Sequence, residues 1–268
     1  DPPEEEFDLV AMPLTQGGEA ELSRDLMQSA YQQLRLGGQM ITTVDNPRDT
    51  WLRGEMQRLF DKVTHQAGQG GMIYSGTKRG PLKKFKEFRS EFKFRDGDCL
   101  ISVITRPGVF SHRRLDTGAR ALMEAMEIQP GQRVLDLGCG AGVLSLAATL
   151  RAPDVQLLAI DANTRAIECT KQNAALNGIE TLSTKLNASA QIDEEGTFDI
   201  VLANPPYYSS YRISEIFLKG ARRALRPGGQ VLLVTKSTEW YEENMSKPFR
   251  DVTAIRSRDY TVMKGVRR

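Results

Sequence analysis

A chain of 268 residues with 40% hydrophobic content and 23 glycines can bury one or two cores, which excludes a disulfide-stapled peptide and a wholly disordered protein. Thirty-six Lys and Arg against 34 Asp and Glu leave a net charge of +2, so affinity for a polyanion has to come from local clustering. Three widely spaced cysteines, Cys99, Cys139 and Cys169, make no metal-ligand or disulfide pattern and predict a reducing, cytoplasmic setting. No run approaches the roughly 18 apolar residues of a membrane span, and the opening Asp-Pro-Pro-Glu-Glu-Glu has neither part of a signal peptide.

In chain order, the first strong signal is the apolar stretch Phe7-Asp8-Leu9-Val10, followed by a helical pattern, the Gly37-Gly38 turn and a second strand. The same series returns 191 positions later, where Phe198-Asp199-Ile200-Val201 answers the first stretch and Leu225-Arg226-Pro227-Gly228-Gly229-Gln230 answers Leu34-Arg35-Leu36-Gly37-Gly38-Gln39. After a two-residue slip, Val63-Thr64 matches Val252-Thr253, and Gly76 and Arg79 match Gly265 and Arg268. Each copy reads as strand, helix, Gly-Gly turn, strand, helix and strand, which predicts an α/β fold with a mostly parallel sheet covered on both faces.

The second copy has a further half, roughly 112–197, with strand signals at Arg133-Val-Leu-Asp-Leu137 and Gln156-Leu-Leu-Ala-Ile-Asp161. The register therefore predicts that about 80 residues precede Asp1 in the native gene. The expected organisation is a partial, degenerate first copy over 1–79, a basic linker or strand region over 80–111, and a complete second copy over 112–268. From Gly76 to Arg95, eight basic residues face only Glu87 and Glu91, with Phe85, Phe88, Phe92 and Phe94 interleaved. That pattern reads equally as a nucleic-acid contact surface through Lys83, Lys84, Lys86 and Arg89, or as a solvated strand pair whose phenylalanines belong to a core.

Two motifs carry chemistry. The strand Arg133–Leu137 runs into Gly138-Cys139-Gly140-Ala141-Gly142, where glycines let the backbone turn sharply and a ligand approach closely. The third glycine comes one residue too early for a dinucleotide fingerprint, and Asp136 stands two residues before the first. A pyrophosphate would be repelled there, whereas the cationic methionine portion of S-adenosylmethionine would be attracted. Asp161, at the end of the next strand, is placed to accept both ribose hydroxyls. Beyond the strand at 198–203 stands Asn204-Pro205-Pro206-Tyr207, at the sheet end where open parallel sheets keep their ligands. Proline carbonyls are free to accept, so the Asn204 side-chain oxygen and the Pro205 carbonyl suit the two protons of an exocyclic amine, with Tyr207 stacking on its ring. At the matching place the first copy has Pro13-Leu14-Thr15-Gln16, with no amide at the first position.

These residues resemble the motifs of class I S-adenosylmethionine-dependent methyltransferases acting on planar amino groups. A degenerate copy followed by an active one, joined through Pro107-Gly-Val-Phe-Ser111 and Leu115-Asp-Thr-Gly118, is similar to the bacterial ribosomal RNA guanine-N2 methyltransferases. The resemblance implies a Rossmann-like, mostly parallel seven-stranded sheet, S-adenosylmethionine as cofactor, and ribosomal RNA or a ribosomal subunit as partner; the oligomeric state stays open, a monomer being favoured. It further implies that Phe110, Ser111, Asp116 and Gly118 help close the cofactor pocket. That pocket is expected to include Asp136, Gly138, Cys139, Gly140, Asp161, Ala162 and Ala188, with Asn204 at its edge. Here Tyr207-Tyr208 stands where such enzymes often have Phe-His, so adenine-N6 and protein glutamine-N5 transfer stay open as alternatives, beside a non-catalytic RNA-binding factor.

Overall fold

In the computed structural model, which describes residues 5–206 and 211–268, the repeat is built twice with the same strand pairing. The first compact unit is Asp1–Phe88 and the second Arg89–Arg268. In unit 1, β1 (Phe7–Leu14), α1 (Ala20–Gln33), β2 (Leu34–Val44), α2 (Trp51–Leu59), β3 (Val63–Ala67) and β4 (Met72–Thr77) form a sheet of order β1-β2-β4-β3.

Unit 2 begins with a hairpin, β5 (Ser90–Asp96) and β6 (Cys99–Thr105). There follow α3 (Thr117–Ala125), β7 (Arg133–Leu137), α4 (Val143–Arg151), β8 (Gln156–Asp161), α5 (Thr164–Leu176) and β9 (Leu182–Leu186). The second copy then supplies β10 (Phe198–Ala203), α6 (Arg212–Ala224), β11 (Leu225–Thr235), α7 (Glu239–Met245), β12 (Phe249–Ser257) and β13 (Tyr260–Arg267). Its seven-stranded sheet has the order β12-β13-β11-β10-β7-β8-β9, parallel from β11 to β9 and antiparallel at β12 and β13. Alternation along the central strands splits the core between two faces. Val134, Ile200 and Leu202 join one cluster, while Leu135, Leu137, Val201 and Ala203 join the other.

Each copy ends in an antiparallel hairpin, not the single strand that the pattern suggests. The turn between β3 and β4, where the Gly68 amide donates to the Gly71 carbonyl, is far too short for a parallel crossover. Both copies repeat three further details. The parallel pairing shifts register between Phe7 and Leu9, and again between Phe198 and Ile200. At the second glycine of each turn, Gly38 or Gly229, a Cβ would lie 2.9 Å from the carbonyl oxygen of Phe7 or Phe198. A cation from the last strand also caps each first helix. The Lys78 ammonium donates to the Gln32 and Leu34 carbonyls, and the Arg267 guanidinium to those of Arg223 and Leu225. Lys78, counted above in the basic cluster, is therefore a buried structural cation and not part of an exposed patch.

The hairpin glycines make room for a phenylalanine ring. A Cβ on Gly76 would meet Phe60 Cγ at 2.4 Å, and one on Gly265 would meet Phe249 Cβ at 3.0 Å. Gly76→Ala is expected to destabilise the fold by about 1–3 kcal/mol through overpacking, more than Gly265→Ala. Chemical denaturation checks this, and the reverse order would contradict the packing.

The segment 80–111 does not stand apart as a linker. Its first part packs on unit 1, where the Gln28 amide donates to the Lys86 carbonyl at 3.0 Å and accepts from the Lys86 N–H at 2.9 Å. Its hairpin belongs to unit 2, and Phe94 enters that core. The division falls between Phe88 and Arg89 because buried rings, not charge, decide which side each piece joins. Among the described residues no helix is long and apolar enough to cross a membrane.

Candidate active site

The glycine loop leaves β7 with Gly138, Gly140 and Gly142 at φ of +76°, +56° and +80°, a left-handed backbone that side chains disfavour. Gly142 also faces Thr170, whose Cγ2 would lie 2.9 Å from an added Cβ. The loop amides are used internally. Gly138 and Cys139 donate to the Ile160 carbonyl at 2.8 and 3.0 Å, and Gly140 donates to Asp161 Oδ2 at 2.9 Å. The other Asp161 oxygen accepts from the Asn163 N–H at 2.9 Å. Each carboxylate oxygen still has a lone pair to offer, so Asp161 is a braced acceptor at the tip of β8. The glycines therefore provide space and not donors.

Asp136 does not face the cavity. It is 0% exposed beneath the loop, accepts from the Ser145 hydroxyl at 2.6 Å through Oδ2, and has no donor to Oδ1 among the described residues. Burial, countered by the Ser145 hydrogen bond and reinforced by the charge of Asp161, pushes its pKa up to about 7. The expectation that its carboxylate meets a cationic ligand directly is corrected. Strand alternation and the closing turn sequester it on the protein side.

Asn204 follows β10, and its Nδ2 donates to Asp116 Oδ2 at 2.9 Å. The same Asp116 oxygen caps α3 by accepting from the Ala119 N–H at 2.8 Å. A carboxylate can only accept. Asn204 must therefore turn its NH2 toward Asp116, which leaves its carbonyl oxygen on the opposite side of the amide. Asp116 thus positions Asn204, a contact that sequence reading missed, having assigned Asp116 only to the cofactor pocket.

A cavity of about 300 Å³ opens above the loop, within the range of small-molecule sites. Phe110, Gly138 and Gly140 line one side, and Asp161, Ala162 and Ala188 another. Asn204 and Pro206 stand at its edge. Ser111, Asp116 and Cys139 line an adjoining cleft that shares Phe110, Gly138, Gly140 and Asn204. Gly118, in the first turn of α3, and Pro205 are buried and line neither space. Tyr207 lies outside the described residues.

Sequence reading also missed the far wall, made by Ile213, Ile216 and Phe217 of α6. Their i, i+3, i+4 spacing is the signal of an apolar helix face, and the Phe217 ring edge would lie 3.0 Å from a Cβ on Gly138. Asn163 pins another wall, donating to the Gly108 carbonyl at 2.7 Å. Asn173 and Asn177 likewise clamp the Ile104 and Ser102 peptides of β6 onto α5.

The four basic residues singled out for nucleic acid are divided. Lys83, Lys84 and Lys86 lie in unit 1 and Arg89 in unit 2. Lys83 is paired with Asp61 at 2.6 Å.

The methyltransferase small domain family matches residues 100–264, a span that holds every cavity-lining residue named above. The chain belongs to this family. Its relatives include ribosomal RNA small subunit methyltransferase C of Pseudomonas entomophila, 36% identical over 166 residues that cover 60% of this chain and 48% of that protein. The Escherichia coli (strain K12) protein of the same name is 30% identical over 183 residues, covering 67% of this chain and 52% of its own. The chain thus spans about half the length of these relatives. The solved T. thermophilus 16S rRNA N2 methyltransferase, in complex with AdoMet and guanosine, shares the fold of this chain. Its TM-score is 0.83 at 20% identity, covering 98% of this chain and 74% of that one.

Proposed function

We propose that the chain transfers a methyl group from S-adenosylmethionine to the exocyclic N2 amine of a guanine in ribosomal RNA. The observation that carries this reading is the Asn204 amide, oriented by Asp116 at the edge of a cavity that Asp161 and the glycine loop border. The names of the relatives, and the guanosine named with the solved T. thermophilus enzyme, favour guanine in RNA over the other planar amines.

The residues fit this cofactor. Asp161 keeps acceptor capacity for ribose hydroxyls, the Cβ-free loop admits close approach, and apolar Phe110, Ile216 and Phe217 suit a flat purine. When bound, S-adenosylmethionine supplies a methyl group on a positively charged sulfur, already activated for displacement. What remains for the protein is alignment. An exocyclic amine conjugated to its ring is a poor nucleophile. Acceptance of one of its protons by the Asn204 carbonyl oxygen favours the pyramidal nitrogen, with its lone pair aimed for in-line attack; the Pro205 carbonyl, buried outside the cavity, is not placed to accept the other. No strong base is required, since the proton is released after the nitrogen has become cationic. A base in a duplex would have to be flipped out, so the target is an unpaired guanine. Ribosomal RNA as substrate also places the enzyme in the cytoplasm.

The test is incubation with methyl-labelled S-adenosylmethionine and unmodified ribosomal RNA or small subunits, then digestion to nucleosides and mass spectrometry. Label in N2-methylguanine is the expected result. Label in N6-methyladenine would keep the mechanism and replace the base, while label only in protein would overturn the reading.

A further inference from the structure

A second cavity, of about 410 Å³, lies wholly within unit 1, between α1, α2 and the segment that Gln28 holds through the Lys86 peptide. Arg24, Arg58, Lys84 and Lys86 line it, with Glu55 as its one acid. Glu55 is 7% exposed and binds both Arg24, at 2.8 Å, and Arg58, at 3.2 Å. One carboxylate shared by two guanidinium groups fixes their place without cancelling their charge. Lys84 and Lys86 are exposed, and both line the cavity. Glu21 on α1 acts on Arg24, and neither Glu21 nor Glu87 is among the residues that line the groove. Four cations against one acid leave a surplus of positive charge above Met27, Leu59 and Phe88, of which Met27 and Phe88 are buried and Phe88 carries the Lys86 ammonium over its ring at 4.8 Å.

This groove is not a vestige of the catalytic fold. Repeat register puts Glu215 and Asn244 of the second copy where Arg24 and Glu55 stand, so neither the cation nor its buried anchor is inherited from the repeat. The counterpart of the catalytic sheet end in unit 1 is a different hollow, beside Leu14, Thr15 and Asp49.

We infer that this groove binds a backbone phosphate of single-stranded RNA among its cations, giving the RNA substrate a second anchor. The surplus of positive charge complements a phosphate, and the proposed RNA substrate supplies one at every nucleotide. The inference rests on RNA being the substrate, but its test does not depend on methyl transfer.

The full chain is titrated with a short unstructured RNA over a range of salt, with fluorescence anisotropy as readout. The Arg58→Gln/Lys84→Gln variant, altered at two exposed sites, is expected to bind about tenfold more weakly, with the log–log salt slope reduced by about 0.7 per cation removed. Lys62→Gln, which removes a charge from the same unit outside the groove, should match the parent. Free 5′-AMP should compete weakly with the RNA. Unchanged affinity and slope in the double variant would overturn the groove even if the chain methylates RNA. Tighter binding of free 5′-AMP than of RNA, or displacement of RNA from the parent but not the variant by polyglutamate alone, would also overturn it. Groove-dependent RNA binding without any RNA methylation would support the groove and sink the proposed reaction.

Discussion

Asn204→Ala is expected to lower methyl transfer by about 10²–10³-fold, the usual loss when a preorganised polar group at a reacting centre is removed. S-adenosylmethionine affinity should change little. The substitution leaves Asp161, the glycine loop and the α6 wall in place, and takes away only the acceptor proposed to align the amine. Single-turnover rates, with calorimetric titration of the cofactor, separate the two quantities. A large loss of cofactor affinity with the transfer rate preserved would make Asn204 a cofactor ligand instead. Asp116 offers a companion experiment. Its Oδ2 accepts from both Asn204 and the Ala119 N–H, so Asp116→Ala frees the amide to rotate and removes a cap worth about 1 kcal/mol. Asp116→Asn retains a carbonyl oxygen able to accept both bonds and should recover much of the rate. Equal losses in the two variants would mean that Asp116 acts through its charge and not by orienting Asn204.

The other large effect is on pH-dependent stability. Asp136 is 0% exposed, and burial, opposed by the Ser145 hydroxyl and assisted by Asp161, raises its pKa to about 7 when folded. An unfolded chain releases this proton near pH 4, as an ordinary aspartate does. Between those values the folded state holds a proton that the unfolded state has lost. Stability from this group is therefore fully present below about pH 4 and falls by about 1.4 kcal/mol per pH unit until about pH 7, above which it is flat. Asp136→Asn, nearly isosteric and unable to titrate, should remove this slope and be the more stable form at neutral pH. Urea midpoints of parent and variant from pH 4 to pH 8 provide the check. A parent-minus-variant difference that rises with pH would contradict the buried, proton-retaining carboxyl. A buried acid with one oxygen lacking a donor breaks a local rule of folding, and such breaks gather at functional sites.

Much of this protein was legible as sequence because the deciding interactions are local or periodic. The repeat register followed from ordered identities, and the structure renders it as paired register shifts and paired helix caps. Apolar runs announced the central strands. The spacing of Gly138, Gly140 and Gly142 announced a left-handed loop, since few other residues adopt that backbone. Asn204 was legible because its prolines mark the end of a strand. By itself, then, the sequence determined the α/β class, the duplicated frame, and the motifs at the end of the parallel sheet.

Tertiary structure alone decided which of those groups touch. Asp116 and Asn204 are 88 residues apart and carry no mutual signal until α3 and β10 are packed. Asp136 turned inward and Lys78 became a helix cap, although the glycine-loop motif offered the first to a ligand and the basic cluster counted the second. The segment 80–111 was shared between two units because Phe94 is buried in one and Phe88 packs at the edge of the other. The physical reason is the same in each case. Backbone conformation is chosen by neighbours in sequence, whereas burial and hydrogen-bond partnership are chosen by neighbours in space. A charge takes its meaning only from the second.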